Sequence, residues 1–232
     1  MLRKPLVILL LGILAVDSAF SQETFITVGT QVPLQYNAGV ELGLSEQWGI
    51  SLHAGVLTKP YSEIILDVLD YFGTRSTLTS TIGEAFTFGT IIQPAVQWSW
   101  SKNYYSSLYG QLCILNAEDA PKDAIENYYG VSLDSYPTRL NLTPQVSNDL
   151  QLTSNLYNVG LLIGRRFHFK NPKWQFRTEF AIAKVLGSKT KLSSDYRDLV
   201  NLSVIVNDEL EEYYWEYGYL PSLNFYLAYK LN

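Results

Sequence analysis

Leu34 to Leu44 reads Leu-Gln-Tyr-Asn-Ala-Gly-Val-Glu-Leu-Gly-Leu, an unbroken alternation of apolar and polar residues. After Ser45-Glu46-Gln47 the alternation resumes from Trp48 to Thr58. One face carries Leu34, Tyr36, Ala38, Val40, Leu42 and Leu44, then Trp48, Ile50, Leu52, Ala54 and Val56. The other carries Gln35, Asn37, Gly39, Glu41 and Gly43, then Gly49, Ser51, His53 and Gly55. A period of two places successive side chains on opposite faces of a β-strand, so the segment is a hairpin with one apolar face. Its polar face is small and mostly uncharged, where a water-facing sheet would carry Lys and Glu. Such a strand suits an apolar face against lipid and a polar face inside a narrow barrel.

The N-terminal residues supply a route to a membrane. Arg3 and Lys4 precede an apolar run from Leu6 to Val16, too short to cross a bilayer as a helix. Ala19-Phe20-Ser21 then offers small residues at the positions a signal peptidase reads. Residues 1–21 are therefore read as a cleaved secretory signal peptide, and 22–232 as one barrel domain. No Cys stands at the cleavage region, which argues against a lipid-anchored N-terminus.

Composition agrees with an exported β-protein. Charged residues make up 17% of the chain, against roughly 25% in ordinary soluble domains. Aromatics reach 14%, led by 17 Tyr. The mean hydropathy of +0.01 is far too low for a helical membrane protein. A single Cys, Cys113, excludes an internal disulfide framework. The formal net charge of -5 gives no support to nucleic-acid binding.

About eight strands are legible: Thr24–Thr30, Leu34–Leu44, Trp48–Thr58, Phe86–Trp100, Tyr104–Leu115, Thr153–Phe167, Trp174–Lys184 and Tyr219–Leu231. Pro94 falls inside the fourth, where it removes a ladder hydrogen bond; a bulge there or a later strand start is the expectation. Connections alternate in length. Ser45–Gln47, Ser101–Asn103 and Phe169–Lys173 are short; Lys59–Ala85, Asn116–Leu152 and Val185–Gly218 are long. Short turns at one end and long loops at the other match an outer-membrane barrel with both termini on the periplasmic side.

On these features nearly the whole mature chain resembles the small outer-membrane β-barrel proteins of Gram-negative bacteria. Its Tyr-rich composition is similar to that of Bacteroidota envelope barrels. The alternating terminal strand Leu223–Leu231 matches that family's closing strand, although the chain ends Leu231-Asn232 rather than on an aromatic. The resemblance implies an all-β fold: an antiparallel transmembrane barrel of about eight strands, lodged in the outer membrane. Its contacts would be outer-membrane lipids and lipopolysaccharide, with a protein partner at the extracellular loops, and it implies no cofactor.

Inward-facing polar residues form one candidate site: Glu41, His53, Gln93, Gln97, Arg177, Glu179 and Lys230. The interior of an eight-strand barrel is nearly filled by side chains, so charges there must pair. Arg177 and Lys230 are expected to neutralise Glu41 and Glu179. An ion path or binding site and a purely structural polar core both remain open.

The long loops carry helical patterning. Tyr61 to Phe72 has Ser62 as an N-cap, apolar residues at helical spacing, and Gly73 after its end. Ala120 to Tyr129 reads as a second helix. Asp208, Glu209, Glu211 and Glu212 form an acidic cluster in the third loop. Without an Asp-x-Asp-x-Asp-Gly loop this cluster gives no metal signature, and a solvated or lipopolysaccharide-facing surface accounts for it. Arg165, Arg166, His168, Lys170 and Lys173 form a basic group at a short turn. Anionic headgroups, the cell wall or an interfacial charge belt are its candidate uses.

Three functions compete. The leading expectation is a structural or binding role exerted through the loops, with the interior plugged. The second is a small porin-like channel. The third, a lipid-modifying enzyme, has only His53 beside Ser51 in its favour, and neither Gly-x-Ser-x-Gly nor His-Glu-x-x-His occurs. An unbroken interior pore would favour the channel, and a plugged one the loops.

Overall fold

The computed structural model describes residues 23–61, 64, 88–120, 150–194, 197–198 and 218–231. The expected signal peptide, residues 1–21, and the acidic cluster lie outside them. So does most of each expected loop helix. Tyr61 and Ile64 are helical, and Ile64 N–H donates to the Pro60 carbonyl at 3.1 Å, an i→i−4 bond. Ala120 ends a strand instead of starting a helix.

Strand β1 is Thr24–Val32, β2 Gln35–Gly43, β3 Trp48–Leu57 and β4 Phe88–Ser99. Strand β5 is Tyr104–Ala120, β6 Leu150–His168 and β7 Trp174–Ser194. A two-residue β8, Arg197–Asp198, adds to the far end of β7, and β9 is Tyr219–Lys230. Antiparallel pairing runs β6-β5-β4-β3-β2-β1-β9-β7, and β6 also pairs with β7. The ring therefore closes on eight strands with no free edge through the barrel wall, which is how a sheet satisfies its backbone where water is absent.

Both faces follow the alternation. Outward-facing Val28, Leu52, Val96, Leu108, Leu161, Ile163, Phe180 and Leu223 are exposed, while Thr27, Gln93, Tyr109, Asn158, Ala181 and Asn224 between them are buried. Aromatic side chains gather at the two ends of the outer surface. Trp48, Trp98, Trp100, Tyr104 and Trp174 stand exposed at the short-turn end; Tyr36, Phe88, Tyr157 and Tyr219 stand exposed towards the long loops. In the β7–β9 pair, Trp174 faces Tyr229 at one end and Lys184 faces Tyr219 at the other. Ten residues separate those rungs, about 33 Å along the strand at ~3.3 Å per residue. At the roughly 40° tilt usual for such barrels, that is about 25 Å of height, the thickness of an outer-membrane apolar band.

Pro94 is accommodated without a bulge. Pairing with β3 is continuous from Trp48↔Trp98 to Leu57↔Gly89, with Leu52 opposite Pro94. Pairing with β5 keeps one register on both sides, Ile92↔Leu112 and Ala95↔Tyr109. The missing donor removes ladder bonds towards β5 only. Gln111 Nε2 spans the gap from inside, donating to Gln93 Oε1 at 3.2 Å.

The sheet bulges at Leu186 instead: Tyr157 pairs with Gly187 and Asn158 with Val185, leaving Leu186 without a partner in the ladder. The extra residue flips the side-chain parity of β7. Val185 points inward before it and Thr190 after it. Beyond this point β5, β6 and β7 continue past the ends of β4 and β9 on the long-loop side.

Interior glycines are matched to interior rings across the ladder. Tyr105 is the register partner of Gly164 and Tyr109 of Gly160. His53 partners Gly39, and Tyr226 partners Gly29. A Cβ on Gly160 would collide with the Tyr109 ring and lie 2.7 Å from the Ile182 carbonyl oxygen. Each ring thus lies flat over a position that has no side chain. Gly160→Val should cost about 1–3 kcal/mol by overpacking. Equilibrium urea unfolding of the refolded barrel measures this. Gly187→Val is the control, because nothing lies within 4 Å of its Cβ.

Candidate functional site

The barrel interior is a stack of polar contacts. At its centre is the Arg177–Glu41 ion pair, with the Arg177 side chain 1% exposed. β7 carries Arg177 and β2 carries Glu41, so the pair ties opposite arcs of the wall. Arg177 Nη2 also donates to Gln175 Oε1 at 3.3 Å, and its guanidinium lies 5.0 Å from the Phe25 ring centroid. His53 Nε2 shares a hydrogen bond with Thr27 Oγ1 at 2.9 Å. Its ring stacks on Tyr226 at 5.3 Å, and its Nε2 stands 3.9 Å from Glu41. Thr27, not Ser51, holds this histidine.

Glu179 is not neutralised by Lys230, contrary to the expectation from sequence. Glu179 faces Asn224 in the β7–β9 ladder, while Lys230 is six residues further along β9, about 20 Å away at ~3.3 Å per residue. Glu179 accepts hydrogen bonds from Tyr105 Oη and from Asn224 Nδ2, the latter at 2.9 Å. Lys230 instead pairs with Glu23 at the rim, at 2.7 Å and half in solvent. A buried carboxylate is thus held by two neutral donors close to Arg177, because those are the groups that the register delivers.

Gln93 belongs to a chain towards the long-loop side. Gln111 donates to Gln93, and Asn158 Nδ2 donates to Gln111 Oε1 at 3.0 Å. On the opposite wall Gln35 donates to Gln31 Oε1 at 2.7 Å, and Gln31 to Ser222 Oγ at 3.1 Å. Asn37 Nδ2 donates to Tyr226 Oη at 3.1 Å. Gln97 is separate from this network: it lines a cavity of about 830 Å³ at the short-turn end, whose inner wall is Glu41, Gln175 and Arg177.

Three contributors are not visible in the sequence pattern. Tyr105, Asn224 and Thr27 carry the partners of Glu179 and His53, and only the strand register reveals them. Arg166 reads in sequence as one of the turn charges, yet it shares inward parity with Asn158, Gly160, Leu162 and Gly164. It lines the cavity, donates from Nη2 to Ser99 Oγ at 3.0 Å, and lies 4.4 Å from the Tyr105 ring centroid. Its neighbour Arg165 faces outward, between Tyr104 at 5.4 Å and Phe167 at 4.8 Å. Among the described residues, no group of three or more His, Cys, Asp or Glu is placed to hold a metal ion.

No protein-family model and no curated protein matches the chain. Among solved structures it is similar to a major outer membrane protein from Thermus thermophilus, at 9% identity and a TM-score of 0.46, over 90% of this chain and 98% of that one. It is similar also to CarO2 of Acinetobacter baumannii, at 13% identity and a TM-score of 0.37, over 90% and 97% of the two chains. CarO of the same organism aligns at 10% identity and a TM-score of 0.36, with the same coverage.

Proposed function

We propose that this protein is an outer-membrane β-barrel with a closed interior, whose role is structural or binding and is exerted through its three long loops. One observation carries the reading: a closed eight-strand wall, apolar outside over a height of about 25 Å, aromatic at both ends and polar within. Among the described residues no helix is long and apolar enough to cross a membrane. The strands do the crossing in this reading. The short-turn end then faces the periplasm and the long loops face outward.

The closed interior weighs against conduction. Arg177, Tyr105 and Tyr109 are each 1% exposed, and Tyr226 and Gln93 each 2%, across the middle of the barrel. These groups fill the width that eight strands enclose. A lipid-modifying activity is the less supported alternative, since Ser51 is not joined to His53. The proposed role is therefore non-catalytic.

Cell fractionation tests the placement. The mature protein should be recovered with the outer membrane, and unboiled samples should migrate anomalously on gels. Recovery in the soluble periplasmic fraction would overturn the reading. Deleting residues 62–85 should leave the barrel folded while abolishing whatever surface phenotype loss of the whole protein causes. A loop-deleted barrel that rescues that phenotype fully would remove the loops from the function.

A further inference from the structure

At the short-turn end two arginines stand directly opposite each other. Arg166 on β6 is the register partner of Arg177 on β7, and both side chains reach the 830 Å³ cavity. Like charges facing across a ladder repel. Glu41 answers the charge of Arg177. No carboxylate among the described residues stands at ion-pair distance from Arg166; its guanidinium touches the Ser99 hydroxyl and the Tyr105 ring, while Glu41 and Glu23 act on it from across the cavity. Arg177 is 1% exposed and its Nε has no hydrogen-bond partner among the described residues. Arg166, with no carboxylate at ion-pair distance, thus borders an open cavity, and the enclosed guanidinium of Arg177 forms part of its inner wall. Lys102 adds a positive charge to its wall and Glu46 a negative one, while Glu23 there is engaged by Lys230.

We infer that this cavity is a binding site for a small oxyanion, a phosphate or carboxylate group seated on Arg166, with the enclosed charge of Arg177 behind it. The planar guanidinium of Arg166 offers paired N–H donors of the kind that match such oxygens. The ring of Tyr105 beneath it fixes its plane. A bound anion also relieves the repulsion between the two arginines, which a neutral ligand does not. The site opens at the end of the barrel away from the long loops, so it is separate from the role proposed for them.

The test uses the full mature chain in a non-ionic detergent. Inorganic phosphate and acetate are titrated separately by calorimetry, each against chloride at equal ionic strength. Saturable one-to-one binding of either anion is the expected result, and which one binds decides between phosphate and carboxylate. Arg166→Gln should weaken binding at least tenfold, whereas Arg165→Gln, on the outer surface, should leave it unchanged. Should Arg166→Gln fail to fold, phenylglyoxal labelling of the wild-type protein answers the same question: the bound anion should slow modification of Arg166 and not that of Arg165. Binding no stronger than that of chloride, or equal affinity in Arg166→Gln, or equal labelling of Arg166 with and without anion, would overturn the site.

Discussion

Arg177→Met is expected to destabilise the barrel by about 3–5 kcal/mol, the usual consequence of removing one member of a buried ion pair. The loss comes mainly from Glu41. Its carboxylate, 12% exposed, would keep its charge inside the barrel with no ion-pair partner at hydrogen-bond distance, His53 standing 3.9 Å away and Arg166 across the cavity. Gln175 would lose its donor as well. Equilibrium unfolding in urea, followed by tryptophan fluorescence of refolded protein, measures the difference. The double variant Glu41→Gln with Arg177→Met should recover part of the loss, because the Glu41 charge is then gone while the buried Glu179 still lacks its nearby cation. Equal stability of Arg177→Met and wild type would mean that this pair is not enclosed by the barrel.

Leu52→Arg carries the second large effect, about 2–4 kcal/mol, the range for a cation at the midplane of a lipid-facing strand. Leu52 lies midway along β3, between Val40 and Pro94 in the ladders, and is exposed on the outer face. The penalty arises only if lipid covers that face. It should therefore appear in phospholipid vesicles and shrink in a soft detergent micelle, where the headgroup region comes close to every surface residue. A Leu52→Arg barrel as stable in vesicles as wild type would place water, not lipid, against this face.

The strand pattern is legible because each barrel strand keeps a two-residue period over most of its length. Even β1, only weakly patterned by itself, is fixed by pairing with β2 on one side and β9 on the other. Legibility ends where that period breaks. The alternation of β7 stops being visible at Lys184 because Leu186 is bulged, so ten further strand residues look like loop. Pro94 looks like a defect because a missing donor is obvious in sequence, while the Gln111–Gln93 bond that spans it is not.

The candidate site is legible as a set of residues and not as a set of partners. Period two assigns Glu41, Arg177 and Glu179 to the inside, but only the register says who meets whom. Charge alone matches Lys230 to an interior carboxylate, whereas its position at the end of β9 leaves it at the rim with Glu23. Arg166 is hidden by its basic neighbours. Extending the parity of Gly160, Leu162 and Gly164 by one step places it inside. The glycines opposite Tyr105, Tyr109, His53 and Tyr226 read simply as small residues, since their purpose depends on the ring across the ladder.

Planar-bilayer recording of the purified mature protein tests the closed-core account most directly. The interior is filled by Arg177, Tyr105, Tyr109, Gln93 and Tyr226 at mid-height, so no steady single-channel current should appear at any moderate voltage. Removing residues 62–85 from the first long loop should change nothing, because the side-chain plug remains. Steady, voltage-stable unitary currents from the wild-type protein would contradict a closed core and make the barrel a channel.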